Sequence, residues 1–332
     1  MCQALINAGA LVTGYALDVP TEPALFDVLG LAEQMNSISG DIRDYDKLFN
    51  ALKESRPEFV IHMAAQPLVR ESYKNPVYTY ETNVMGTVNI LEGIRNMDTV
   101  RSVVNVTTDK VYLNKEWEWG YRENEELNGY DPYSNSKSCS ELVTASYRRS
   151  FFGNKDVAIS TVRAGNVVGG GDFAIDRIIP DCVRAVEGKR NIIIRNPSSI
   201  RPYQHVLEPI MAYLMIAMEQ YENKGVAGAY NVGPEENNCI TTGKMATLFC
   251  KNWEKLSAVK PDWVELGDGG PHEARLLKLD CSKIKDVFNW HPVWNIDQTI
   301  EEVVGWYYNF LEKEDMRKYT QKQIERYLRD SQ

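Results

Sequence analysis

Tyr133-Ser-Asn-Ser-Lys137 sets a phenol and an ammonium four residues apart, on one face of a helix. An ammonium near a phenol stabilises phenolate and lowers the tyrosine pKa from about 10. Such a tyrosine acts as a general base on a hydroxyl. With 18 tyrosines in the chain, about one such pair is expected by chance, so its weight comes from context. Thr107-Thr108-Asp109-Lys110 brings a hydroxyl, a carboxyl and an amine to the end of one apolar run. The carboxyl ends of parallel strands are where such sheets bind ligands. A turn with a surface ion pair is the competing reading. His62-Met63-Ala64-Ala65-Gln66 follows another run. Small residues there admit a cofactor to the backbone, or equally let a helix pack closely on a strand. Arg163-Ala164-Gly165-Asn166 again closes a run, and Arg177, Arg195 and Arg201 come later. Arginine forks suit diphosphate oxygens, although a solvated arginine is the commoner fate of any single one.

These residues need a scaffold that gathers strand ends. Apolar runs at 11–16, 58–63, 102–107 and 157–163 read as strands, the first of them buried. Helical spacing spans 44–54, 76–97 (with Pro near its start) and 133–152. Strands separated by helices of this length imply a parallel sheet with helices on both faces. After about residue 165 the rhythm breaks. Helices are expected at 175–188, 209–222 and 296–313, strands at 192–195 and 229–232, a further segment at 273–279, and a charged surface helix at 319–328. The expected fold is α/β, a Rossmann-like doubly wound sheet (1–165) with a smaller mixed α/β lobe (166–332), the chain crossing back in places. With 332 residues, about two domains fit.

Composition removes several function classes. Apolar residues make up 43% and charged residues 25%, which excludes a disordered chain. No apolar run approaches the roughly 20 residues of a membrane span. A net charge of −9 argues against nucleic acid and for a small-molecule partner. The six cysteines and four histidines are scattered, so no metal-ligand spacing is visible. Scattered cysteines without a signal peptide fit a reducing cytoplasm.

Taken together, the residues from Leu11 to about Phe310 resemble the extended short-chain dehydrogenase/reductase family. Segments 108–112 (TDKVY), 120–124 (GYREN), 129–137 (GYDPYSNSK), 163–172 (RAGNVVGGGD), 201–206 (RPYQHV), 271–274 (PHEA) and 279–283 (LDCSK) resemble the branch of it that dehydrates CDP-glucose. The resemblance implies a redox cycle that leaves NAD unchanged. Tyr133 would take the 4-hydroxyl proton while NAD takes the C4 hydride. Lys137 would lower the Tyr133 pKa and bind the nicotinamide ribose. Water would then leave across C5 and C6, and the hydride would return to C6. Thr108 would hydrogen-bond the sugar near C4, and Asp109 would protonate the departing hydroxyl. Related dTDP-glucose enzymes carry a glutamate base where this chain has Lys110. Lys110 is then the C5 base, or it orients Asp109 or stabilises the enolate.

Asp41 and Ile42 match the family's adenine contact. Asp18, ending a strand, is placed for the adenosine ribose, or is a simple turn residue before Pro20. Ala64, Ala65, Gln66 and Thr107 would line the cofactor. Asn166, Arg177, Arg195 and Arg201 would hold CDP, with His272 and Glu273 closing the sugar pocket. The resemblance also implies a homodimer through a bundle including the Tyr133 helix, or a homotetramer, and a product used for deoxysugars of bacterial surface polysaccharide.

One feature departs from that pattern. A dinucleotide-binding sheet opens with strand, Gly-rich turn and helix. Here residues 1–8 read as the end of that helix, Gly9 as its C-cap, and Leu11 as the start of the second strand. Residues 165–171 come too late to substitute and read as a flexible substrate-side loop. Met1 therefore reads as an internal methionine, with about 25 residues lacking, and such a chain is expected to bind NAD poorly and fold badly. The rival readings are another nucleotide-sugar dehydratase or 4-epimerase, and a non-catalytic homologue without NAD. An epimerase has no need of the Asp109–Lys110 pair, and a non-enzyme has no evident use for Tyr133, Lys137, Thr108 and Asp109 together.

Overall fold

β-branched strands alternate with helices through the first half, and each helical crossover returns the chain parallel to the strand before it. The computed structural model describes residues 1–267 and 275–332. Its first elements are α1 (Cys2–Asn7), β1 (Thr13–Ala16), α2 (Leu25–Val28), β2 (Asn36–Ser39), α3 (Tyr45–Ser55), β3 (Phe59–His62), α4 (Val69–Lys74), α5 (Pro76–Tyr80) and α6 (Gly86–Arg95). Then come β4 (Ser102–Val106), α7 (Pro132–Ser150), β5 (Ala158–Ala164), β6 (Asn166–Val168), α8 (Ile178–Glu187), β7 (Ile192–Ile194), β8 (Ile200–Arg201), β9 (Tyr203–His205) and α9 (Leu207–Glu222). The last are β10 (Ala229–Val232), β11 (Ile240–Thr241), α10 (Thr242–Leu256), β12 (Trp263–Glu265), α11 (Ser282–Phe288), α12 (Ile296–Leu311) and α13 (Met316–Asp330).

The main sheet is parallel, in the order β10-β5-β4-β3. β4 and β5 are its most buried strands. Strand alternation assigns the two faces. Val104 and Val162 pack with Ala212, Tyr213 and Ile216 of α9. Val103 and Ile159, opposite each other in register, pack with Leu48, Leu52, Leu91 and Ile94 of α3 and α6. A separate core joins α8, α10 and α12 through Cys182, Phe249, Ile300 and Trp306. After that lobe begins, the chain returns to the main sheet at β10.

The expected buried strand at 11–16 is shorter and more exposed. β1 pairs only with β2, in a separate two-stranded sheet, and Leu11 is fully exposed. Among the described residues no strand joins β1 to β3. With one edge unpaired and little packed on it, β1 stays at the surface. The expected 76–97 helix is interrupted by a π-helical turn at Glu81–Met85. β2 and α10 were not expected. Asn-Ser-Ile-Ser carries one apolar residue and thus no alternation. In α10, Met245, Phe249 and Trp253 do recur at helical spacing, behind a Thr-Gly start that reads as a turn. The tail helix α13 is more than a surface element: Ile324 and Tyr327 pack with Ala4, Leu207 and Trp294.

Residues 165–171 are not a flexible loop. They contain β6, paired with β9, and a side chain at Gly170 would collide with the indole of Trp306. Gly171 also has a positive φ of 80°, which favours glycine. Among the described residues no helix is long and apolar enough to cross a membrane, and no group of three or more His, Cys, Asp or Glu is placed to hold a metal ion. All six cysteines are free.

Candidate active site

α7 starts where its sequence directs. Asp131 caps it, accepting from the backbone N–H of Ser134 at 3.0 Å, and Pro132 occupies the first turn, as both residue types favour. The helix then carries Tyr133, Lys137 and Glu141 at intervals of four, all buried. Opposite it, β4 ends at Val106. Thr108 caps a short 3₁₀ turn over Asp109–Val111, which brings three functional groups together. Thr108 Oγ1 donates to Asp109 Oδ1 at 3.1 Å, and Lys110 Nζ donates to the same oxygen at 3.0 Å. Asp109 is fully buried, and its Oδ2 has no partner. The alternative of a surface ion pair is therefore excluded: one member of the pair lies in the protein interior.

Thr107, Thr108, Lys110 and Tyr133 line a cleft of about 1080 Å³. Asn166, Arg177, Arg195 and Arg201 line the same cleft, so the geometry gathers three catalytic candidates, one cofactor candidate and four substrate candidates from distant parts of the sequence. Asn166 Oδ1 is buried without a partner. Arg177 pairs with Asp172 at 3.4 Å and Arg195 with Asp176 at 2.9 Å. His272 and Glu273 lie outside the described residues.

Lys137 is almost fully buried, and its Nζ donates to the Val106 carbonyl at 2.9 Å. Burial lowers its pKa to about 8, against the opposing pull of Glu141. The Tyr133 phenol is raised above its ordinary value, first by burial. Lys110, Thr108 and Arg177 act to lower it, and Asp109 to raise it. The Lys137 ammonium is turned to the Val106 carbonyl, and Lys110 is the cation that acts most on the phenol.

The adenosine-end candidates sit apart from this cleft. Asp18 is exposed and accepts from Ser39 Oγ at 2.9 Å. Asp41 holds Arg43 at 2.7 Å, and Ile42 is buried against Gly86. Beyond β3, Ala64 packs into the core beside α3 and α6. Ala65 lies with it between two cleft-lining residues, Met63 and Pro67. The Gln66 side chain is already used, donating to Thr79 at 2.9 Å and accepting from the Leu68 N–H at 2.6 Å. Thr107 likewise turns its hydroxyl inward, to Glu141 at 2.6 Å.

Two residues of the site were not expected. Tyr213 of α9 lines the cleft; its signal was an apolar-face tyrosine among helical core residues. Glu141 carried a clearer signal, four residues beyond Lys137 on the same helix face.

A sequence profile of the GDP-mannose 4,6 dehydratase family matches residues 5–303. The chain belongs to that family. It is a homologue of the CDP-glucose 4,6-dehydratase of Salmonella typhimurium, at 47% identity over 98% of this chain and 91% of that protein. The fold is matched by the UDP-glucose 4-epimerase of Thermotoga maritima, with a TM-score of 0.80 at 20% identity over 93% of this chain and 94% of that one. The dTDP-glucose 4,6-dehydratase of Bacillus anthracis, solved in complex with NAD, has a TM-score of 0.76 at 21% identity over 94% and 93%. The architecture is thus the Rossmann-like α/β fold of these enzymes.

Proposed function

We propose that this chain is an NAD-dependent hydro-lyase that converts CDP-glucose to CDP-4-keto-6-deoxyglucose. The observation that carries the reading is the ion pair of the buried Asp109 with Lys110, which lines the cleft together with Tyr133. A 4-epimerase has no elimination step and no use for a second acid–base pair. The homology to the Salmonella enzyme supports the CDP-sugar.

The residues around Lys137 suit NAD. Lys137 is buried, yet among the described residues its only hydrogen-bond acceptor is the Val106 carbonyl. An ammonium has three donors, and ribose hydroxyls fit the remaining two. Lys137 would hold the nicotinamide ribose, Ala64 and Ala65 would border it, and Asp18, Asp41 and the Ile42 backbone would meet the adenosine end. No Gly-rich turn for the diphosphate lies among these residues, and no contact is assigned to it. When bound, NAD supplies the acceptor for the C4 hydride and returns it at C6.

The chain's own groups then handle protons. The Tyr133 oxygen takes the proton of the 4-hydroxyl, and Thr108 orients O4. Asp109 gives a proton to the departing C6 hydroxyl, and Lys110 takes the proton from C5. Lys110 Nζ and Asp109 Oδ1 stand 3.0 Å apart, so the group that takes the C5 proton and the group that serves the departing hydroxyl are held together. Arg177, Arg195 and Arg201 hold the diphosphate, which replaces carboxylates now facing the first two.

Incubating the chain with NAD and CDP-glucose should convert the sugar to a product lighter by one water, seen by mass spectrometry. Tight binding of CDP-glucose without water loss would instead favour the non-catalytic homologue. For the oligomer, we take the partner to be a second copy docking on α5, α6 and α7. Val77 on α5, Met85 in the π-helical turn before α6 and Leu142 on α7 are apolar and exposed, and these elements adjoin. Sedimentation should give two or four times the mass of one chain, and Leu142→Arg should shift it toward one. A parent protein that sediments as a single chain would refute this.

A further inference from the structure

One heavily bonded buried charge lies outside the cleft wall. Glu141 is 3% exposed and its carboxylate accepts four hydrogen bonds. They come from Thr107 Oγ1 at 2.6 Å, Thr161 Oγ1 at 2.7 Å, and Arg163 Nε and Nη2, both at 2.9 Å. Arg163 is equally buried. Its Nη1 donates to the Tyr112 hydroxyl at 2.8 Å and to the Glu123 carbonyl at 3.0 Å, and Tyr112 donates onward to Asn231 of β10 at 2.6 Å. The cluster thus ties α7 to β4, β5, the turn after Thr108, and β10.

A buried ion pair is weak evidence for stability, since desolvation offsets most of the Coulombic gain. Its placement says more. The last two bonds between α7 and the end of β4 are Lys137 to the Val106 carbonyl and Thr107 to Glu141. The next residues along that chain are Thr108, Asp109 and Lys110. Both clamps therefore set where Tyr133 stands relative to the groups it works with. Glu141 is also one helical turn from the Lys137 ammonium, on the same face.

We propose that Glu141 is a positioning residue of the dehydratase, which holds the Tyr133 helix in register with the Thr108–Lys110 turn and supplies the counter-charge for the Lys137 ammonium. The proposal rests on the dehydratase reading above. The groups facing Lys137 are few. Tyr133 and Glu141 are on its own helix. His62 on β3 is held neutral by burial, at about 3, and hydrogen-bonds Thr87. β4 presents the Val106 carbonyl. Arg163 of β5 stands behind Glu141, and Asp109 and Lys110 lie beyond Tyr133. Glu141 is the group that raises Lys137 against the lowering effect of burial. Without it Lys137 loses its proton at lower pH.

The test compares the parent with Glu141→Gln, Glu141→Asp and Thr107→Val. NAD affinity is measured by calorimetry across pH alongside the kinetics. In the parent, NAD affinity and kcat should both fall as pH rises through about 8. Glu141→Gln should move that fall down by about one unit. It should also cut kcat by about 10–100-fold, with a much smaller change in KM, as expected for displaced reacting groups. Glu141→Asp should restore the pH limb. Thr107→Val keeps the ion pair and removes one clamp, so it should lower kcat without moving the limb, even if Glu141→Gln fails to fold. Parental kcat in Thr107→Val, or an unmoved limb in a folded Glu141→Gln, would overturn the proposal. A parent that binds NAD and CDP-glucose but releases no water would instead defeat the dehydratase reading. The calorimetric limb would still report on Glu141.

Discussion

Replacing Tyr133 by Phe should leave the fold intact and cut kcat for water loss from CDP-glucose by about 10²–10⁴-fold. The substitution removes one oxygen and keeps the ring, which is packed at the N-terminal end of α7. That oxygen is the group that receives the proton of the 4-hydroxyl, on the cleft wall it shares with Thr108. Until C4 is oxidised, the C5 proton is not acidic and water has no reason to leave. Loss of the first proton transfer therefore stops every later step. KM should change little, because the arginines that hold the nucleotide are untouched. Initial rates by mass spectrometry, with thermal melting as a folding control, settle the matter. A folded Tyr133→Phe protein with parental kcat would remove Tyr133 from the mechanism.

Asp109→Asn should separate the reaction into halves. Oxidation at C4 does not involve Asp109, so exchange of the C5 proton with deuterated solvent should continue. Departure of the C6 hydroxyl should slow by about 10²–10⁴-fold, the range of a lost general acid. The structural cost is real. Asp109 is fully buried and bonded to Thr108 and Lys110, and an asparagine leaves the Lys110 ammonium without its counter-ion. Melting temperature must accordingly be measured alongside. Lys110→Ala is the complement: it should suppress C5 exchange if Lys110 is the base. Parental exchange in Lys110→Ala would assign it to orienting Asp109 instead. Parental water loss in Asp109→Asn would leave the acid unidentified.

What could be read without coordinates followed from local physics. Spacing of four along a helix aligned Tyr133 with Lys137, and an apolar run ending at Val106 put Thr107, Thr108, Asp109 and Lys110 on a strand end. β10 was legible to the residue, because Ala229–Val232 is a short apolar run bounded by glycines. Exposure was less legible. The apolar segment 11–16 reads as buried, but burial requires neighbours on both edges, and β1 has only β2. Glycine content at 169–171 suggested looseness, whereas these residues are glycines because Val206, Trp306 and Leu25 crowd them.

By itself the sequence determined the α/β class, the strand ends that carry the chemistry, and the Tyr133–Lys137 pair. Each depends on periodicities within one element. The tertiary structure alone decided which side chains share a wall of the cleft, and which charged group turns away from it. Arg163 stands at a strand end like Asn166, yet one enters the core and the other the cleft. Pairing of β5 with β4 puts Thr161 opposite Asn105, and alternation then points Thr161 and Arg163 toward α7, where Glu141 meets them. Arg163 thus becomes the partner of a buried carboxylate. The register between strands and the helix above them is a long-range property, and no spacing along the chain encodes it.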